Sequence, residues 1–145
     1  MKTIITIALS IVTFIMNAQV ETLTANTPEK SSEIIVTMPT SSTQGKMVVG
    51  LYTEENFMKA EPLQGANGEI KDGKAVVSFK DIAPGTYGII IFHDKNDNNI
   101  MDFEANGMPL ENYGISNNVM SFGPPMWSDA KFEVVGEDIA MEIRL

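Results

Sequence analysis

Residues 93–102 read HDKNDNNIMD, a run in which six of ten side chains carry an amide or carboxylate oxygen. Asp94, Asn96, Asn98 and Asp102 stand at positions 1, 3, 5 and 9 of a calcium-loop frame, and Ile100, at position 7, can offer its backbone carbonyl. Calcium takes six to eight hard oxygen ligands, and alternate residues of a tight loop can converge their oxygens on one point. Asn99 falls at position 6, where the loop turns sharply through a left-handed dihedral that asparagine adopts more readily than any residue but glycine. Position 12 is Ala105 in place of the bidentate glutamate, and no helix signal lies on either side. A helix–loop–helix site is therefore excluded. A strand-entered loop of the D-x-N-x-N kind is expected instead, with Asp97, Glu104 or Glu111 as candidate further carboxylates. The competing reading is an Asx-rich connection whose side chains cap their own backbone, in a purely structural domain with no ion or ligand.

The following piece, GMPLENYGISNN at residues 107–118, is a long connection punctuated by Gly107, Pro109 and Gly114. Such loops are more often functional than idle. Tyr113, Phe122 and Trp127 either form a platform for a sugar or peptide or pack the loop onto the domain, and packing is favoured because large aromatics are mostly buried. A protein, peptide or glycan partner is the expectation. An enzyme is not expected. His93 is the single histidine, no nucleophile motif accompanies it, and nothing in the spacing of Asp94, Asp102, Glu104 and Glu111 selects a catalytic carboxylate pair. A histidine in this position is expected to hydrogen-bond loop backbone or to orient a carboxylate.

Composition narrows the field further. Lys+Arg is 10 against Asp+Glu 19, a net charge of −9 that gives nucleic acid or an anionic membrane no cationic footprint to bind. There are no cysteines, so disulfides, iron–sulfur clusters and cysteine nucleophiles are excluded. The methionines are scattered and read as core filler, not as a soft-metal site.

Elements that must position the acidic run follow from the apolar pattern. Residues 1–18, MKTIITIALSIVTFIMNA, have a cationic start, a short apolar core and a small terminal residue, which together make a secretory signal peptide. Cleavage before Gln19 is expected, giving an exported protein, periplasmic or extracellular, with no transmembrane segment after the signal is removed. Residues 19–32 are polar and read as a flexible lead-in, and 33–145 as a single domain. Ile34, Val36 and Met38 alternate in a strand that ends at Pro39, as do Met47, Val49 and Leu51, and then Ala75, Val77 and Phe79. The dipeptides Asn67-Gly68 and Asp72-Gly73 read as turns, as does Ala83-Pro84-Gly85. Residues 86–93, TYGIIIFH, read as a central strand buried on both faces. Phe132 and Val134, and then Ile139, Met141, Ile143 and Leu145, mark the last two. About seven strands and no clean helix predict an all-β, antiparallel β-sandwich.

Five segments in this order carry a more specific likeness: GKMVVGLY (45–52), FKDIAPGTYG (79–88), HDKNDNNIMD (93–102), GMPLENYGISNN (107–118) and PMWSDAKF (125–132). Together they resemble DUF2141, a family of small exported bacterial proteins without an assigned function. The resemblance spans about residues 34–145 and implies an immunoglobulin-like or transthyretin-like sandwich. It implies no activity. The acidic loop departs from the family's usual N-G-x-L-D ending, with Asn99 in the glycine position and Asp102 retained.

Overall fold

A computed structural model of the protein describes residues 30–120 and 123–145. The expected signal peptide and nearly all of the lead-in lie outside the described residues, as does Phe122. The chain folds into two packed sheets. One has the order β4 (Lys74–Ile82), β1 (Ser32–Pro39), β8 (Ile139–Glu142). The other has the order β3 (Gln64–Glu69), β2 (Lys46–Tyr52), β5 (Gly85–Asp94), β6 (Tyr113–Ile115), with β7 (Phe132–Val134) paired to the start of β5. A single helical turn, α1 (Trp127–Ala130), and a 3₁₀ turn at Ser116–Asn118 are the helical pieces among the described residues. None is long or apolar enough to cross a membrane.

The period-two alternation dictates this packing. Ile34, Val36 and Met38 from β1 and Met47, Val49 and Leu51 from β2 are at most 1% exposed and meet between the sheets, with Phe79, Ile89 and Ile91. Side chains that alternate in sequence point to opposite faces, so one face of each strand enters the core and the other meets solvent. Ser32 already belongs to β1, one residue before the expected start of the domain.

Four expectations are corrected. Asn67-Gly68 is not a turn but the middle of β3, where Gly68 packs over the core: a Cβ there would stand 3.1 Å from both Ala75 Cβ and Val77 Cγ1. The glycine is set by sheet-to-sheet packing, whereas Asp72-Gly73, with φ of 51° and 77°, is the two-residue turn joining β3 to β4. The sandwich is not wholly antiparallel, because β8 runs parallel to β1, with Ile34 opposite Ile139 and Val36 opposite Met141. Strand β5 is not buried on both faces either, since Ile90 and Phe92 on its outer side remain partly exposed. Nor are the methionines uniformly core filler, for Met38 and Met47 are fully buried while Met58, Met108, Met120 and Met126 are at least 54% exposed.

The outer face of the larger sheet is covered over half its length only. Phe57, in the turn after β2, stacks edge-on against Tyr52 and Trp127, at centroid distances of 5.8 and 5.4 Å, and these rings close over Ile90 and Ile115. Trp127 therefore packs and is not a platform. The asparagines that end the 107–118 connection are likewise structural. Asn118 donates its amide to the Glu142 carbonyl (2.8 Å) and accepts from the Arg144 N–H (2.8 Å), standing in for a strand partner of β8. Asn117 ties the same turn to the carbonyls of Asp129 and Lys131.

Candidate functional site

Strand β5 delivers Asp94 to the sandwich end, where its side chain is fully buried. Its Oδ1 accepts the N–H of Asn98 (3.1 Å) and its Oδ2 the N–H of Asn99 (2.8 Å). The chain beyond β5 is thereby curled back on its own first carboxylate. Two left-handed residues, Asp97 (φ 62°) and Asn99 (φ 62°), make the curl. Asn99 was expected to do so; Asp97 was not, and asparagine and aspartate are the non-glycine residues that visit this region most readily.

Three of the alternate residues meet, though through amide nitrogens and not through the oxygens an ion would need. Asn96 Nδ2 (2.7 Å) and Asn98 Nδ2 (3.0 Å) both donate to Oδ2 of Asp102. Their carbonyl ends cap backbone, Asn96 Oδ1 accepting from Asn98 N (3.2 Å) and Asn98 Oδ1 from Ile100 N (2.8 Å). Asp94 and Asn96 thus share the Asn98 N–H, and Asp102 gathers two amides. Glu111, 5% exposed, supports the loop from behind, accepting from the N–H of Lys95 (2.8 Å) and of Asp102 (3.4 Å). Glu104 lies apart, held by the Asn106 amide, and Ile100 presents an exposed side chain. Asp97 also points outward, 64% exposed, toward Lys46.

Lys46 is a neighbour of the loop that sequence reasoning missed. Its ammonium lies 3.5 Å from Asp94 Oδ2 and 3.4 Å from Asp97 Oδ1, brought there by the pairing of β2 with β5 that sets Lys46 opposite Asp94. No local signal marks it, because the pairing is between strands remote in sequence. Burial raises the Asp94 pKa, but the Asn99 and Asn98 N–H groups and the Lys46 ammonium outweigh it and hold the carboxyl below its ordinary value. His93 faces the same end of the sandwich. Its Nε2 is 2.8 Å from the Gln44 carbonyl, so it hydrogen-bonds loop backbone as expected.

Among the described residues, no three carboxylate or histidine side chains stand close enough together to hold a metal ion. An ion here would be held by two carboxylates, Asp94 and Asp102, together with amide and carbonyl oxygens. Calcium accepts that donor chemistry. Two amide nitrogens already point at Asp102 Oδ2, so a half-turn of each amide would aim two oxygens there, at the cost of the two backbone caps, about 1 kcal/mol each.

The family model described as "Uncharacterized protein conserved in bacteria (DUF2141)" matches residues 35–142, and the chain belongs to that family. Among curated proteins and among solved structures, no match was found.

Proposed function

We propose that this member of the DUF2141 family is a small exported binding module, without catalytic activity, whose 94–102 loop takes a calcium ion. One observation supports the reading above the rest: the amides of Asn96 and Asn98, spaced as calcium ligands, both reach one oxygen of Asp102, and the same Asn98 gives its backbone N–H to the buried Asp94. Losing two backbone caps makes the binding weak, at the ~10⁻³ M end of the range for extracellular modules. Export to a compartment rich in calcium suits that affinity. The competing structural reading is favoured by a different observation, that the oxygens of Asp94, Asn96 and Asn98 already accept hydrogen bonds from the loop's own backbone.

Calcium-dependent melting separates the two. With a dissociation constant of about 1 mM, about 10 mM calcium should stabilise the protein by about 1.4 kcal/mol and raise Tm by about 4 °C. Asp94→Ala should lose that increment and Asp97→Ala should keep it. No increment in the parent protein would leave the loop a hydrogen-bonded connection only. Export is tested separately: mass spectrometry of protein from the cell envelope or medium should find an N-terminus at or beside Gln19, and recovery of the intact chain from the cytoplasm would oppose it.

A further inference from the structure

On the outer face of the larger sheet, the half that Phe57 and Trp127 leave uncovered is a shallow trough of about 320 Å³. Strand register builds its floor. Val48 lies opposite Phe92 and Gly50 opposite Ile90 on one side, while Val48 lies opposite Asn67 and Gly50 opposite Gly65 on the other. Two glycines facing each other across β2 and β3 remove the Cβ atoms at that one pair of positions, and the Tyr52 ring folds over Gly50, 2.6 Å from where its Cβ would stand. The volume is at the small end of the range for ligand sites.

The rim is polar and largely unspent. Asn67 Nδ2 donates to Asn99 Oδ1 (3.3 Å), and neither Asn67 Oδ1 nor Asn99 Nδ2 has a partner among the described residues. The Tyr52 hydroxyl, at the other end, has none there either, and Glu61 beside it is the single charged residue lining the trough. Burial, and then the Glu61 carboxylate, raise the Tyr52 pKa, so the hydroxyl keeps its proton to donate. Asn99 owes its place to Asp94, which holds its backbone N–H.

We infer that this trough binds one uncharged sugar unit of a glycan. A hexose has an apolar C–H face to lie on Val48 and Phe92, and a ring of hydroxyls, each donor and acceptor, to meet the unspent amide pair at one end and Tyr52 with Glu61 at the other. An anionic ligand would face Glu61 with no lining cation to offset it. A purely apolar one would strip water from both amides without replacing their hydrogen bonds. A cationic peptide would satisfy Glu61 alone. The inference rests on the reading of the chain as a binding module, to which it gives a ligand class. Calcium melting tests the loop by itself, so failure of the calcium reading and failure of the sugar site are seen separately.

The test is a titration of the ¹⁵N-labelled protein with maltotetraose, cellotetraose and chitotetraose, followed by amide NMR. At least one should shift the Gly65 backbone and the Asn67 and Asn99 side-chain signals saturably, with a dissociation constant on the order of 1 mM. Gly65→Phe fills the trough without backbone strain, because a Cβ there meets nothing nearer than Pro62 Cγ at 3.6 Å. It should melt as the parent does and bind at least about tenfold more weakly, and Asn67→Ala should weaken binding similarly. Silence toward all three sugars overturns the inference. So does undiminished binding by Gly65→Phe, or hexalysine shifting the trough signals where the sugars do not.

Discussion

Asp94→Ala is expected to cost about 3 kcal/mol at neutral pH and to lower Tm by about 10 °C. The carboxylate is fully buried and takes both backbone N–H groups that turn the loop, those of Asn98 and Asn99. Alanine would leave the Asn99 N–H without its acceptor, the Asn98 N–H with Asn96 Oδ1 alone, and the Lys46 ammonium with only the exposed Asp97 opposite it. Asp97→Ala breaks an exposed ion pair and should cost under about 1 kcal/mol. The difference between the two variants is what burial and the backbone hydrogen bonds of Asp94 add to an ion pair with Lys46. Acid provides an independent check. The folded-state pKa of Asp94 lies below its ordinary 3.8, so its contribution is complete above that pH and is lost as pH falls through the folded value. Calorimetry should therefore find the gap between the parent protein and Asp94→Ala constant from pH 7 to about pH 5 and shrinking below pH 4. A gap unchanged down to pH 2 would show that alanine acts through packing alone.

The fold was legible where side chains alternate between core and solvent. Ile34, Val36 and Met38, or Ala75, Val77 and Phe79, can bury a face only by running extended, so their strands follow from local sequence. β3 could not be read this way. Its sequence QGANGE holds no β-branched or aromatic residue, and it is a strand because β2 pairs with it and Gly68 lets the sheets approach. β6 is three residues long and likewise exists through its pairing with β5. The parallel placing of β8 depends on how a remote strand docks, which its alternation leaves open.

The loop was more legible than the surface around it. Side chains that cap backbone a few residues away act at short range, so the positions of Asp94, Asn96, Asn98 and Asp102 could be read from their spacing, as could the left-handed Asn99. What the loop touches was hidden. Lys46 and Asn67 reach it across strand pairings, from β2 and β3. The trough was hidden for the same reason, and the apolar run of β5 was misleading: Ile90 and Phe92 read as buried because nothing in the sequence says that only half of that face is covered.

Gly45→Ala should be at least as damaging as Asp94→Ala, by about 4 kcal/mol or a fall of about 12 °C in Tm. Two costs combine. Gly45 sits at φ 72°, where an alanine loses about 1–2 kcal/mol. Its Cβ would also collide with the Asp94 carbonyl oxygen and stand 2.8 Å from Lys95 Cα, both of them backbone, which no rotamer change can relieve. The segment leading into β2 would have to move off the end of β5. That end carries the buried Asp94, and the adjacent Gln44 carbonyl holds His93. Gly73→Ala is the matched control. At φ 77° it bears the same dihedral cost, but its Cβ would find only the Thr40 carbonyl at 3.6 Å, an ordinary contact, so a loss of about 1–2 kcal/mol is expected. Chemical denaturation of both variants gives the comparison. Equal losses would mean that the dihedral accounts for Gly45 and that the contact with Asp94 relaxes freely. A larger loss at Gly45, joined by disappearance of any calcium-dependent increment in Tm, would show that the loop is held in shape from β2 as well as by its own asparagines.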